Sequence, residues 1–179
     1  MTSLSWLARL FAPAPEPMRV TTPAPAAPPT PDSRALSDIT AEDIDVATRT
    51  LWGEARGEGR VGRVAVVWVM RRRVELARRG VRAIQFGRGT LAGACCARWQ
   101  FSCWNAGDPN RARMERLSPD DPLYRDLRAI VEAVVAGTEP DPTGGADHYC
   151  TRAIAPLTGW AKGARPVAAI GNHLFYRLT

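Results

Sequence analysis

Apolar residues recur at helical spacing in three stretches of the chain, with polar residues between them. The first stretch has apolar positions at intervals of three or four residues: Ile44, Ala47, Leu51 and Ala55. This spacing predicts a helix that buries one face. Thr40 and Asp43 have the spacing of a capping box, so we expect the helix to begin after Thr40. Gly57 is placed to end it.

Two further helices are predicted at about residues 60–79 and 119–136. The inner face of the second helix would carry Val61, Val64, Ala65, Trp68 and Val69. The third helix has an almost continuous i, i+3, i+4, i+7 series of Leu123, Tyr124, Leu127, Ile130, Val131, Val134 and Val135. We expect Ser118 to cap the third helix, and Gly80 and Gly137 to end the second and the third.

The last part of the chain has the alternating pattern of short strands. Residues 147–151 and 173–178 are predicted to pair as an antiparallel ribbon. Residues 81–117 mix glycine, cysteine, aromatic and polar types, which predicts a long loop of the kind that usually has a function. Together these elements predict an α+β fold that is mostly helical.

The N-terminal part of the chain differs from the rest in composition. Residues 12–31 contain 8 of the 15 prolines, which favours a disordered, extended linker rather than a packed core. We therefore expect residues 1–36 to form an N-terminal segment with a proline-rich linker, and residues 37–179 to form one folded domain. The first fifteen residues lack the basic start and the long apolar run of a signal peptide, so the route of export stays open.

The chain carries a formal net charge of +6, and Lys162 is its only lysine. A basic protein attracts polyanions, of which nucleic acid and an anionic cell envelope are two. The densest clusters, at 71–73 and 78–79, both fall in the second helix and are predicted to form a solvated face. No basic motif is interleaved with aromatic residues, so no nucleic-acid partner is expected. No stretch approaches the roughly 20 apolar residues of a membrane span.

The cysteines at positions 95, 96, 103 and 150 form no CxxC pair. Two interpretations stay open, namely buried thiols or one disulfide between the 95–103 region and Cys150 in an oxidising compartment. A zinc site would have to combine these cysteines with His148, at spacings that match no standard zinc motif. We therefore expect neither a metal nor another cofactor.

Glu54 is the strongest candidate for catalysis from its surroundings alone. It borders the apolar face of the first helix, near Trp52, and Gly53 and Gly57 leave space for a bulky ligand. A carboxyl group that is partly removed from water favours its protonated form, which a general acid requires for donation to a glycosidic oxygen. An exposed glutamate paired with a nearby arginine is the simpler alternative. For Glu58, a structural role at the start of the second helix is favoured over a role as second acid.

Four segments, in order, resemble the SleB-like cell wall hydrolases, a family that includes spore cortex-lytic enzymes and related phage endolysins. They are WGEARGEGRVGRVAVVWVMRRRV at 52–74, WQFSCW at 99–104, DPTGGA at 141–146 followed by His148 and Tyr149, and GNHLFYR at 171–177. The resemblance covers about residues 44–178. It departs from the family pattern at 71–73, where three arginines stand in place of an Asn-Arg pair.

The resemblance implies a lysozyme-like fold and a lytic transglycosylase that cuts the MurNAc-GlcNAc bond of peptidoglycan, with Glu54 as the catalytic acid. Such an enzyme needs one carboxylate, because the C6 hydroxyl of the muramic acid attacks in place of water. The expected substrate contacts are Gln100, Phe101, Trp104, Thr143, Gly144, Gly145, Tyr149 and Tyr176, with Trp99 as a further candidate for stacking on sugar rings. The expected supporting residues are Glu58, His148, His173 and Arg177, the last as a partner for a buried carboxylate such as Glu58.

Two other functions stay open at this point. One is a hydrolytic muramidase that uses Asp147 or Glu58 as its second acid. The other is a non-catalytic glycan-binding module of a virion or envelope complex. We expect a monomer that acts on glycan strands in the periplasm or envelope. A phage or gene-transfer lysin and a host remodelling enzyme fit this composition equally.

Overall fold

The computed structural model describes Leu36 and residues 38–179. Apart from Leu36, the expected N-terminal segment and linker lie outside the described residues. The helices are α1 (Ala41–Ala55), α2 (Arg60–Arg78), α3 (Leu91–Cys96), α4 (Arg111–Glu115) and α5 (Pro122–Val135). The strands are β1 (His148–Thr151), β2 (Ala168–Ile170) and β3 (His173–Tyr176).

The first helix begins where the capping box predicts. The Thr40 hydroxyl accepts a hydrogen bond from the Asp43 N–H at 3.0 Å, and the Asp43 carboxylate accepts one from the Thr40 N–H at 3.1 Å. The other Asp43 oxygen accepts from the Ala92 N–H at 2.7 Å, so the cap also attaches α3 to α1. Burial raises the pKa of Asp43, but the hydrogen bonds from Ala92 and Thr40 outweigh burial and leave that pKa below its ordinary value.

Helix α2 runs through the main hydrophobic core and contacts α1, α3 and α5. Four of its five predicted inner residues are buried: Val64, Ala65, Trp68 and Val69. The prediction for Val61 is wrong, since this side chain is 58% exposed. Residues 59–61 are all exposed because the first turn of α2 extends past the core.

The arginines at 71–73 do not form the solvated face that their charge predicts. Arg71 is fully buried, and its guanidinium donates to the Val134 carbonyl at 2.5 Å and to the Glu75 carboxylate at 3.0 Å. It therefore supplies positive charge and a donor at the carbonyl end of α5. Arg73 is also buried, and Arg72 alone of the three remains partly exposed. The prediction is confirmed for the second cluster, since Arg78 and Arg79 at the end of α2 are exposed.

Helix α5 begins three residues later than predicted. Its cap is Asp121, whose carboxylate accepts a hydrogen bond from the Leu123 N–H at 2.8 Å, and Pro122 occupies the first helical position. The expected cap at Ser118 is wrong because proline is best accommodated at the first turn, which fixes the start of the helix. Gly137, with φ of 76°, follows the end of the helix as predicted.

The region 81–117 is not a plain loop. It contains α3, α4 and two short 3-10 turns, Gly87–Gly89 and Ser102–Trp104. All four cysteines are free thiols, and of these only Cys96 is exposed. The structure therefore has the buried thiols and not the disulfide. Burial raises the pKa of Cys95 to about 12, which leaves this thiol unreactive near neutral pH.

The three strands form one antiparallel sheet in the order β1-β3-β2. The predicted ribbon is confirmed, with Tyr149 opposite Phe175 and His148 opposite Tyr176, whereas β2 was not predicted. Directly opposite residues share a face of the sheet, so Tyr149 and Phe175 point to one side and His148 and Tyr176 to the other. The first side packs on the helical core, and the second is covered by the segment around Trp160.

The architecture is α+β and mostly helical, as the sequence predicts. Within residues 38–179, none of the helices combines the length and the apolar character that crossing a bilayer requires.

Candidate active site

Glu54 lies half-buried in the last turn of α1, and its carboxylate accepts three hydrogen bonds. The Cys103 N–H and the Ser102 hydroxyl donate to Oε1 at 3.1 and 3.3 Å. The Tyr149 hydroxyl donates to Oε2 at 2.8 Å. These donors belong to the 102–104 turn and to β1, so three elements together fix the position of the carboxyl group.

Gly53 allows the 102–104 turn to approach α1 this closely. A Cβ atom at position 53 would lie 2.5 Å from the Cβ atom of Cys103 and 2.9 Å from its sulfur. Separations this short do not occur between real side chains, so a larger residue would push the turn away from Glu54. The glycine weakens the helix, but it brings two hydrogen-bond donors to the carboxylate.

Tyr149 is held in a cluster of rings beside Glu54. Its ring stacks on that of Phe175, with 5.8 Å between the ring centroids. It is T-shaped with the ring of His173, with 5.1 Å between the centroids. Burial, followed by the charge and hydrogen bond of Glu54, raises the pKa of Tyr149 well above its ordinary value. The phenol therefore stays protonated near neutral pH and remains able to donate to Glu54.

A groove of three adjoining cavities passes Glu54. The Glu58 cavity, of about 340 Å³, is lined by residues 53–58, Thr151, Asn172 and His173. The central cavity, of about 390 Å³, shares Glu54, Thr151 and His173 with it and adds Trp99, Gln100, Ser102 and Tyr149, among others. The arginine cavity, of about 420 Å³, shares Trp99, Gln100 and Tyr149 with the central cavity and adds Arg73, Arg82, His148, Thr158 and Trp160. Because neighbouring cavities share lining residues, the three form one continuous groove.

Gln100 and Trp99 both line this groove, as expected of substrate contacts. The Gln100 side chain makes no hydrogen bond with the described residues, so its amide is free to bond a ligand. Trp99 is 72% exposed and has φ of 66°, in the left-handed region that bulky residues rarely adopt. Backbone strain of this kind gathers at functional sites, which supports a role for the Trp99 ring in binding.

Three of the predicted aromatic contacts do not line the groove. Phe101 is only 2% exposed and packs in the core beneath the guanidinium of Arg73. Trp104 directs its indole N–H to the Thr50 hydroxyl at 2.8 Å. Tyr176 lies on the sheet face opposite Tyr149 and packs against Trp160. The alternation of β3 identifies two faces without saying which of them meets α1.

The turn at 143–145 has the expected glycine geometry, with φ of 69° and 84° at Gly144 and Gly145. Asp141 organises the turn by accepting hydrogen bonds from the N–H and hydroxyl of Thr143, both at 2.7 Å. Neither Thr143 nor the glycines line the three cavities, so the turn has a structural role here. The expected pairing of Arg177 with Glu58 is wrong, since the arginine lies beside Gly145.

Glu58 is instead bound by the β2–β3 connection. Its carboxylate accepts hydrogen bonds from the Asn172 side chain at 3.1 Å and the Asn172 N–H at 3.4 Å, and lies 3.6 Å from Nδ1 of His173. Any side chain at Gly171 would overlap this carboxylate, because a Cβ atom there would lie 1.9 Å from Oε2. Glu58 thus supports the strand that carries His173, and at the same time it lines the same cavity as Glu54.

His148, which lines the arginine cavity, is paired with the buried Asp147. Asp147 is fully buried and accepts hydrogen bonds from His148 at 2.6 Å and from the Leu178 and Thr179 N–H groups, both at 3.0 Å. The bonds from Leu178 and Thr179 hold the end of the chain against β1. The suggestion that Asp147 is a second catalytic acid is wrong, because the carboxylate is occupied and sealed from the groove.

Several groove residues were not predicted as site residues, notably Ser102, Arg73, Arg82 and Trp160. Ser102 lies within the 99–104 segment that carries part of the family resemblance, so its position in the sequence offered a signal. Arg73 was hidden in a run of three arginines. Trp160 has no pattern around it that separates a groove residue from a core residue.

Burial lowers the pKa of His173 below its ordinary value of 6.5, even though the facing carboxylates of Glu58 and Glu54 act to raise it. Below pH 6.5 the unfolded chain therefore binds a proton at this histidine before the folded chain does. By linkage, folding stability falls as the pH decreases through this window. We expect His173→Asn to lose less thermal stability than the wild type between about pH 7 and about pH 5.

Thermal unfolding followed by circular dichroism at constant ionic strength measures this difference. Asp43 and Asp147 have lowered pKa values, below 3.8, so their own loss of stability falls outside the window. If the melting temperature changes equally with pH in the wild type and in His173→Asn, His173 is not the group responsible.

Comparisons with known proteins identify a family and a fold. The family model described as Cell Wall Hydrolase matches residues 57–176, beginning just after Glu54 and including Glu58. The catalytic domain of the SleB protein from Bacillus cereus superposes with a TM-score of 0.59 at 24% identity, covering 79% of this chain and 94% of that chain. The catalytic domain of the germination-specific lytic transglycosylase SleB from Bacillus anthracis gives 0.58 and 24%, covering 79% and 98%.

At this level of identity, the two structures establish a shared fold, and the fold class expected from the sequence is confirmed. Among curated proteins, no significant match was found.

Proposed function

The chain belongs to the Cell Wall Hydrolase family, and on that premise we propose that it cuts peptidoglycan between MurNAc and GlcNAc with Glu54 as general acid and base. Membership of the family makes it an enzyme that degrades the cell wall. The bond, the mechanism and the catalytic residue belong to the proposal. The structure of the Bacillus anthracis relative is described as that of a lytic transglycosylase, and this supports the same chemistry here.

In the first step, Glu54 donates a proton to the glycosidic oxygen while the bond between this oxygen and C1 of the muramic acid breaks. The N–H of Cys103 can only donate, and it is directed at Oε1. The hydroxyl of Tyr149 can accept as well as donate, so Oε2 is the oxygen suited to carry the proton. Tyr149 would then orient the acidic proton until a sugar oxygen replaces it as acceptor.

In the second step, the Glu54 carboxylate takes the proton of the C6 hydroxyl, whose oxygen bonds to C1 of the same ring. The product is a 1,6-anhydro muramic end, and Glu54 regains the proton that it gave up. The Cys103 N–H and the Ser102 hydroxyl stabilise the carboxylate between the two steps. Atoms and charges balance without water and without a second catalytic carboxylate.

The observation that carries the proposal is the position of Glu54 where the Glu58 cavity and the central cavity meet. A glycan strand lying along the groove would therefore pass the carboxyl group on both sides. The groove also presents an exposed indole and a free amide, at Trp99 and Gln100, which are the groups that usually contact sugar faces and acetamides.

A hydrolytic muramidase is the second candidate, because Glu58 lines the same cavity as Glu54 and could position a water molecule. Its carboxylate is already engaged by Asn172 and lies beside His173, which favours the supporting role. A non-catalytic glycan-binding module is disfavoured, since binding alone gives no reason to fix a single carboxylate with three donors.

Mass spectrometry of the fragments released from purified sacculi tests the proposal. Transglycosylation gives 1,6-anhydro muramic ends, whereas hydrolysis gives reducing ends. We expect anhydro ends from the wild type and also from Glu58→Gln, whose amide can keep its bond to Asn172. Reducing ends from the wild type, lost in Glu58→Gln, would establish the muramidase instead.

A further inference from the structure

The arginine cavity contains a buried cation without a charged partner. Arg73 is 3% exposed, and its Nε donates to the Asp147 carbonyl at 2.8 Å. Its Nη1 is fully buried and has no hydrogen-bond partner. Among the described residues Arg73 forms no ion pair, and the Asp147 carboxylate is occupied by His148 and the end of the chain.

The surroundings of Arg73 favour an anionic ligand. Its guanidinium lies 4.9 Å from the ring centre of Phe101 and 5.6 Å from that of Phe86, so water is largely excluded from it. Arg82, an exposed residue, adds a second positive charge at the cavity, and none of the residues that line the cavity is acidic. A buried cation without a counter-ion costs free energy, and an anion bound in the cavity would offset that cost.

The cavity is continuous with the catalytic groove. Trp99, Gln100 and Tyr149 line both the arginine cavity and the central cavity, and the Tyr149 hydroxyl donates to Glu54. A single substrate molecule would therefore occupy both cavities. In a peptidoglycan strand the sugar rings themselves are uncharged, and the carboxylates belong to the lactyl-peptide branches of the muramic acids.

We propose that the arginine cavity binds a carboxylate of the lactyl-peptide branch next to the bond that is cut, with Arg73 and Arg82 as the recognising groups. The guanidinium is suited to carboxylate oxygens because hydrogen bonds between two ionised groups are short and strong. This inference rests on the proposed function, since it takes the peptidoglycan strand as the ligand. It adds a preference for strands that carry acidic branches.

Soluble glycan strands prepared in three forms distinguish the sources of the carboxylate. The first form has intact peptide stems. In the second, the stem carboxyl groups are converted to amides. In the third, an amidase has removed the stems and freed the lactyl carboxylate, which is bound to the stem as an amide in the intact strand. Cleavage (kcat/KM) and equilibrium retention are measured for the wild type, Arg82→Gln and Arg73→Lys. Arg125→Gln, an exposed change on α5, is the matched control.

We expect the wild type and Arg125→Gln to prefer intact over amidated strands by about tenfold or more, and Arg82→Gln to lose most of this preference. Retained activity on the third form would show that the freed lactyl carboxylate can substitute for a stem carboxylate, and lost activity that a stem carboxylate is required. Equal kcat/KM and equal retention of all three forms by the wild type would overturn the inference. An unchanged preference for intact strands in Arg82→Gln would also overturn it.

The two proposals fail in different ways. Absence of cleavage in every form, with retention that still depends on carboxylates, would refute the proposed function and leave the carboxylate site standing. Anhydro products formed equally from all three forms would support the proposed function and refute the carboxylate site. If Arg73→Lys fails to fold, Arg82→Gln alone decides the question, because residue 82 is exposed.

Discussion

Cleavage of sacculi falls by about a thousandfold when Glu54 is replaced by Gln, because general acid–base catalysis contributes roughly that much and glutamine has no proton to give. The amide has the shape of the carboxyl group. Its oxygen can still accept from the Cys103 N–H, and its NH₂ can donate to the Tyr149 hydroxyl. The loss would therefore report proton transfer and not collapse of the site. Turbidity clearing of purified cell walls measures it.

Wall binding is the internal control for this variant. Pelleting with sacculi should retain Glu54→Gln as well as it retains the wild type, since Trp99 and Gln100 are unchanged. Glu58→Gln is the matched glutamate control, and it should keep most of its clearing activity if its role is structural. Clearing by Glu54→Gln at a rate near that of the wild type would refute the assignment of Glu54.

Arg71→Met is expected to lower the free energy of unfolding by about 3–5 kcal/mol, the range found when one partner is removed from a buried charged group. The methionine fills most of the space but cannot donate. The Val134 carbonyl at the end of α5 would lose its 2.5 Å hydrogen bond, and Glu75 would lose its buried partner. Urea-induced unfolding followed by tryptophan fluorescence gives the value.

The adjacent Arg72→Met supplies the comparison. Its side chain is 25% exposed and meets Glu75 at 3.3 Å, so the change should cost less than about 1 kcal/mol. A similar loss in both variants would show that charge on α2, and not the burial of Arg71, determines stability. A negligible loss in Arg71→Met would contradict the role given to it at the end of α5.

Local chemistry made much of the fold predictable. The capping box at Thr40 and the glycine after α5 are decided by neighbours within a few residues, and both lie where the sequence places them. Glu54 could be singled out as a candidate because a carboxylate at the border of an apolar face is unusual. The four ordered segments that resemble the family then supplied the activity that the residues alone left open.

What the sequence could not show depends on contacts between distant residues. Whether Arg71 is buried depends on α5, which lies more than sixty residues away in the chain. Whether Tyr149 or Tyr176 meets Glu54 depends on which face of the sheet turns towards α1. The donors of the 102–104 turn reach Glu54 only because Gly53 has no side chain, and nothing in the local pattern measures that distance.

The backbone conformation of Trp99 bears on how improved forms of the protein should be selected. Glycine adopts a φ of 66° without the penalty of about 1–3 kcal/mol that a bulky residue incurs. A library screened only for heat tolerance would therefore enrich glycine at this position. On the proposed role of Trp99 in binding, such variants would unfold at a higher temperature but bind glycan less tightly. Each round of selection therefore needs a second screen for wall clearing.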